Sequence, residues 1–340
     1  FWPVFGTYGM ISAYAPHRLM SLIGGTVVSG GIDTAVGSGY QDMFGRSGSW
    51  TFCDIIEPHG FYDTKLIVAW GANPGETQLH LMRFVFDAIE NGARMVTIDP
   101  RFSVTASKSH LWVPIRVGTD AALALSMAHV IVKNGWHDET FLKEYTVAPF
   151  LVRLDDGKFL RSGDKYVVID SFDGRPKPHD SPDLVDPAMI GEYEVDGVRC
   201  KTAFQLLTER LEEYPPEKVE QITEVPKETI ERLAYEFATK KPVALITMFG
   251  QDHYFNADVV MRAKLLLLVL TGNVGIKGSG VFAFSGSYMY PPFDWSGYLA
   301  PTGKWYNVLN PINLYEAAAH GNPQPIKVLW CQAGNAFNQD

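Results

Sequence analysis

Residues 66–103 read LIVAWGANPGETQLHLMRFVFDAIENGARMVTIDPRFS, and residues 110–123 read HLWVPIRVGTDAAL. Leu66 to Trp70 is an unbroken apolar run that meets a Gly/Asn/Pro turn. The spacing after the turn predicts an amphipathic helix of about four turns. A second apolar run, Met95 to Ile98, then ends on Asp99. This is a strand–turn–helix–strand unit with an acid at the tip of its second strand. In open α/β sheets ligands sit beyond the carboxyl ends of the strands. Turn amides and a helix N-terminus suit a phosphate, and a strand-tip acid suits ribose hydroxyls. The region therefore reads as a nucleotide holder with an unusual turn. WGANPGET has Gly-x-Asn-Pro-Gly-Glu where the common dinucleotide fingerprint has three spaced glycines.

Outward from this unit, a helix is expected over Ala121 to Asn134. Residues from about Phe150 to Val198 are polar and rich in Asp, Gly and Pro, which reads as a surface excursion with short hairpins near Phe159 to Ile169. Helical signals return at Thr202 to Tyr214. Val225-Pro226 leads into another helix that stops at the lysine pair Lys240-Lys241. Pro242 to Phe249 reads as a buried strand, followed by GQDHYFNADVV and a long helix through Leu270. Asn273, Gly275 and Gly278 then make a C-cap and loop. Ile326 to Trp330 reads as one more apolar strand, so three strands each run into a Gly/Asn-bearing turn. The first 48 residues carry GTYGM, LIGGTVVSGG and GSGY, a glycine density that suits backbone approaching a ligand.

At 340 residues, length suggests two domains. A net charge of −9 argues against nucleic acid or an anionic membrane surface as the main partner. Cys53, Cys200 and Cys331 are far apart and no CxxC occurs, so neither an iron–sulfur site nor a disulfide framework is indicated. The longest apolar run, around Leu265 to Leu270, is too short to span a bilayer, so no direct membrane insertion is expected.

Six segments taken together resemble the molybdenum (or tungsten) bis-pterin oxidoreductases of the dimethyl sulfoxide reductase family. They are MSLIGG (Met20 to Gly25), WGANPGET (Trp70 to Thr77), IDPR (Ile98 to Arg101), PIRVGTDAAL (Pro114 to Leu123), LTGNVGIKG (Leu270 to Gly278) and GNAFNQ (Gly334 to Gln339). They occur in family order across most of the chain. Ser279 stands where a second glycine is common. The wording near LIGGT and AWGAN is close to the respiratory nitrate reductase α-subunit branch.

The resemblance implies a cofactor, molybdenum or tungsten bis-molybdopterin guanine dinucleotide, and assigns roles by position. Trp70, Gly71, Asn73, Glu76 and Thr77 lie where the family grips one dinucleotide near its pyrophosphate. Asp99 and Arg101 match its guanosine end. Gly118, Thr119 and Asp120 match a guanine-reading turn. Gly250, Gln251 and His253 match the turn approaching the second pterin, and Asn335, Asn338 and Gln339 the other nucleotide. The metal-ligand slot falls on Asp33 in the tetrad Gly30-Gly31-Ile32-Asp33, where the serine branch has G-D-x-S; Thr34 and Ser29 compete if the register slips. Plainer readings stand beside these. Asn73 and Asn335 could be turn residues, Asp33 a turn aspartate, His253 a turn histidine, Arg101 a surface charge, and Asp120 a helix N-cap. Arg262 and Lys264 read as a solvated helix face.

The expected architecture is two interleaved open α/β, Rossmann-like domains, of the type of domains 1–3 of formate dehydrogenase and dimethyl sulfoxide reductase. One is discontinuous, residues 1–53 plus 225–340, and binds pterin; the other, 54–224, is inserted and binds the dinucleotide. The family's N-terminal iron–sulfur domain and C-terminal domain lie outside this sequence, which reads as the central part of a catalytic subunit. The implied activity is two-electron oxygen-atom transfer in anaerobic respiration, reducing nitrate, an S- or N-oxide or a similar oxo-acceptor. An iron–sulfur cluster, in the N-terminal part or an electron-transfer partner subunit, would exchange the electrons. Alternatives are a molybdenum or tungsten enzyme acting on a small organic substrate, and a non-catalytic nucleotide-binding subunit.

Overall fold

The computed structural model describes residues 2–3, 10–28, 39, 42–44, 56–247, 249–251, 253–282, 296–310 and 313–332. Its centre is a sheet built on β1 (Leu66–Trp70), whose five residues are all buried. Successive side chains of a strand point to opposite faces, and here each face has its own core. Leu66, Val68 and Trp70 join Val96, Ile98, Leu123 and Met127 on one side. Ile67 and Ala69 join Leu81, Val85, Met95 and Ile246 on the other. A strand buried on both faces reads as continuous apolar sequence, as β1 does.

The sheet adds β2 (Arg94–Ile98), β3 (Leu111–Val113), β4 (Val243–Thr247) and β5 (Gly280–Phe282). The order is β5-β4-β1-β2-β3, and every neighbouring pair is parallel. Parallel pairing needs crossovers, which are helical where the sequence turns amphipathic. Helix α1 (Leu79–Glu90) joins β1 to β2 and buries Leu81, Met82, Val85 and Ala88. The predicted four-turn helix is split: Pro74–Thr77 forms a separate turn, and Gln78 leaves helical geometry at φ −142°. Helix α2 (Asp120–Lys133) follows β3, α3 (Lys227–Thr239) leads into β4, and α4 (Ala257–Leu270) joins β4 to β5. From β1 the chain winds outward to β3, then returns to β1's other side. The winding reverses between β1 and β4, the place where open parallel sheets bind ligands beyond the strand ends.

The sheet crosses the boundary expected at residues 224/225, since β4 and β5 pair into the sheet that β1 begins. Parallel pairing joins strands distant in sequence, and no local signal at Val225 reports it. The chain's early and late parts do meet: Thr26–Val28 pairs in parallel with Asn307–Leu309, and Trp2–Pro3 with Cys331–Gln332. The strand expected at Ile326 to Trp330 is absent. Val328 and Trp330 there are exposed at 85% and 42%. Ile326 packs against Val28 and Leu309 instead. A short apolar run by itself does not specify a strand.

The excursion carries two three-stranded antiparallel sheets. Its loop is organised by one cation. Lys177 Nζ lies 2.7 Å from Asp170, 3.1 Å from Asp173 and 3.6 Å from Asp183. Asp170 also accepts from the amides of Phe172, Val185 and Asp186, each at 3.0 Å. The Lys177 hydrogen bond, with those amides, holds the Asp170 carboxyl well below the usual carboxylate range. A folded value below the unfolded one gives stability that is fully present above the ordinary carboxyl pKa of about 4. That stability is lost as pH falls through the folded value. Lys177→Met should therefore lower stability at neutral pH and flatten its acid dependence below about pH 4. Acid titrations followed by circular dichroism check this; parallel curves for the two proteins would refute it.

Candidate functional site

The carboxyl ends of β1, β2 and β4 and the N-terminus of α2 bring two linked groups of side chains together. In the first, Asp120 opens α2 and is buried, 4% exposed. Trp70 Nε1, at the end of β1, donates to Asp120 Oδ1 at 2.8 Å. Gln251 Nε2 donates to the same oxygen at 2.5 Å. The position at a helix N-terminus also favours a negative charge. Asp120 is thus not the capping residue: Thr119 is the N-cap, without a side-chain cap bond, and its hydroxyl donates to the Arg116 carbonyl at 2.6 Å. Gly118 precedes it at φ +82°.

Gly71 makes this group possible. Its φ is +63°, and a Cβ there would lie 2.5 Å from Gln251 Cδ. Its amide donates to the Ile98 carbonyl at 2.9 Å, tying the turn to β2. Gln251 closes the short helix Phe249–Gln251 after β4. Gly250 belongs to that helix, and His253 is exposed just beyond it.

The second group surrounds the turn after β1. Asn73 Oδ1 accepts from Thr105 Oγ1 at 2.7 Å and from its amide at 3.3 Å. Asn73 Nδ2 donates to the Glu76 carboxylate. Thr77 Oγ1 donates to the Asn73 carbonyl at 3.0 Å, and Thr105 Oγ1 accepts from the Gly75 amide at 2.9 Å. Arg101 lies 3.4 Å from Glu76 with its side chain 71% exposed. Asp99 Oδ1 accepts from the Arg101 amide at 2.8 Å. Trp112 Nε1 donates to the Asp99 carbonyl at 2.9 Å. Burial pushes the Asp99 carboxyl up, against the pull of the Arg101 amide and guanidinium, and the Asp120 charge adds to the rise. The Tyr254 phenol is likewise raised by burial, with smaller pushes from Asp120 and Asp99.

Sequence reasoning missed Lys264. It is 1% exposed, and its ammonium donates to Thr247 Oγ1 and to Gln251 Oε1, the latter at 2.5 Å. Arg262 does sit partly exposed, paired with Asp258 at 3.0 Å. The signal was present in ADVVMRAKLLLLVL, where a helix apolar on every side carries one lysine. Thr105 and Tyr254 were also missed; neither lies in a recognised motif. Asp33, with Ser29 and Thr34, and Asn335, Asn338 and Gln339 lie outside the described residues. Among the described residues, no helix is long and apolar enough to cross a membrane.

Residues 4–340 match the family described as Molybdopterin oxidoreductase. The respiratory nitrate reductase subunit alpha of Haloferax mediterranei is 32% identical over 361 residues, covering 94% of this chain and 37% of that protein. The perchlorate reductase subunit alpha of Dechloromonas aromatica is 34% identical over 278 residues, covering 69% of this chain and 30% of that protein. Acetylene hydratase from Pelobacter acetylenicus superimposes with a TM-score of 0.58 at 20% identity, over 95% of this chain and 41% of that one. At that identity the likeness is one of fold. The chain spans about a third of the length of these two curated relatives.

Proposed function

The chain belongs to the molybdopterin oxidoreductase family, and from that premise we propose that its crevice holds the nucleotide end of a molybdopterin guanine dinucleotide. The observation that carries the reading is the buried Asp120 carboxylate at a helix N-terminus, held by Trp70 and Gln251 beside the switch point. The residues fit such a group. Gly71 keeps the backbone bare where a side chain would fill the space against Gln251. Arg101 offers an exposed cation beside the Pro74–Thr77 turn, suited to phosphate. Asp99, its carboxyl raised by burial, suits a ribose hydroxyl.

When bound, the cofactor supplies the two-electron redox change at its metal. The chain's part is to orient and exclude. Asp120 Oδ1 already accepts two donors, so Oδ2 is the oxygen open to a guanine N–H; recognition is through one oxygen, not two. Asp33 is the proposed protein ligand to the metal, assigned by its place after LIGG, with Thr34 and Ser29 as alternatives. Gly250, Gln251 and His253 would face a second pterin, and Asn335, Asn338 and Gln339 the second nucleotide.

For the whole protein the proposed activity is reduction of an oxo-acceptor, with electrons from an iron–sulfur subunit. The nitrate and perchlorate reductase relatives support this class. Metal analysis and acid-released nucleotide from the full-length protein test it, together with viologen-coupled reduction of nitrate, perchlorate and dimethyl sulfoxide. Absence of molybdenum, tungsten and guanine nucleotide would end the reading. Asp120→Asn should cut nucleotide retention about tenfold, roughly 1.4 kcal/mol. The amide oxygen would stay on Trp70 and Gln251, and its NH2 would meet a donor edge. Unchanged guanine content in that variant would show Asp120 to be structural only.

A further inference from the structure

Lys264 sits in α4 among Val260, Met261, Leu265, Leu267 and Leu268, all members of the main core. A charge in such a place persists only when it is paired and hydrogen-bonded. Its ammonium meets Thr247 at the end of β4 and Gln251 in the turn beyond. A lysine only donates and a carboxylate only accepts. Glutamine offers one of each, and Gln251 stands between Lys264 and Asp120 with Oε1 toward the first and Nε2 toward the second. Its amide is therefore oriented by the chemistry at both ends. Trp70 completes the line on Asp120 from β1. One buried chain of hydrogen bonds thus runs from α4, past the ends of β4 and β1, to the first residue of α2.

We infer that Lys264 is a positioning residue for the nucleotide crevice: acting through Gln251, it holds the Asp120 carboxylate in one orientation with Oδ2 turned to the ligand. The inference rests on the proposal that the crevice binds the cofactor's nucleotide. Lys264 itself touches no ligand. Its ammonium compensates a buried carboxylate across one intervening amide, and this relay locks the two sides of the switch point together. Cofactor loading then depends on a residue behind the site as well as on those lining it.

The test uses the full-length protein as wild type, Lys264→Met, Gln251→Glu, Asp120→Asn and the Lys264→Met/Asp120→Asn pair. Molybdenum (or tungsten) and released guanine nucleotide per chain are measured, with thermal unfolding alongside. Lys264→Met should lower both contents to about a tenth, as losing an outer-shell partner does at metal sites. Gln251→Glu keeps size and an acceptor for Lys264 but loses the donor to Asp120, so it should lose cofactor similarly; it carries the test if Lys264→Met does not fold. In the pair, Lys264→Met should remove little beyond what Asp120→Asn removes, because a neutral residue 120 leaves the relay no charge to hold. Full content in Lys264→Met or Gln251→Glu, or fully additive losses in the pair, overturns the relay. If Asp120→Asn alone leaves content unchanged, the nucleotide reading of the crevice fails. If Asp120→Asn loses cofactor while Lys264→Met keeps it, only the relay fails.

Discussion

Gly71→Val should destabilise the protein by about 4–7 kcal/mol, combining a backbone cost with the loss of a buried polar network. At φ +63° any residue with a Cβ is strained, by about 1–2 kcal/mol. The added Cβ would also fall 2.5 Å from Gln251 Cδ, and 2.9 Å from its Nε2. A flexible exposed glutamine could swing aside. Gln251 is 5% exposed and is held at both ends of its amide. Moving it takes one acceptor from Lys264 and one donor from Asp120, and removing a partner from a buried charged network costs about 3–5 kcal/mol. A domain of this size shifts its melting temperature by about 2–4 °C per kcal/mol, so a fall of roughly 10 °C or more is expected. Calorimetry on the variant checks it. Gly71→Ala is the graded control, with the backbone cost and one methyl; a melting temperature equal to wild type in both would overturn the backbone cost and the Gln251 clash together.

Asp33→Ala should leave the melting temperature of the full-length protein nearly unchanged and reduce turnover at least about a hundredfold, the upper end of what losing an outer-shell partner costs. The proposed role is a carboxylate oxygen on the metal, a hard donor suited to an oxidised molybdenum. Gly30 and Gly31 precede it by three and two residues, and a glycine brings no side chain to a core. X-ray absorption reads the first shell directly: the alanine variant should lose one oxygen scatterer. An unchanged shell would move the ligand to Thr34 or Ser29. Retained activity with that same unchanged shell would remove Asp33 from the chemistry altogether.

The unit from β1 to β2, the helix at 120–133 and the strand at 243–247 could be read from the sequence because their signals are local. A period of 3.6 against an unbroken apolar run, and a Gly/Asn/Pro turn between them, act within a dozen residues. Two of the motifs are local in the same way: Trp70 to Thr77 is a strand end, its turn and a short helix, and Gly118 to Asp120 is one helix start. The order β5-β4-β1-β2-β3 was not, and neither was the sheet's passage across residues 224/225. Parallel strands satisfy their backbone groups on partners far away in sequence, here Val243 beside Leu66. Lys264 read as a solvated charge because a lysine is almost always exposed unless paired. Its pairing through Gln251 to Asp120, itself set against Trp70, joins positions separated by 13, 131 and 50 residues. Sequence alone determined the strands β1, β2 and β4, the helix α2 and the turns beside them, since those follow from neighbours along the chain. Tertiary structure decided which buried charge compensates which, because a charge taken out of water is stabilised by whatever donor or acceptor lies within about 3 Å in space, at any distance along the chain.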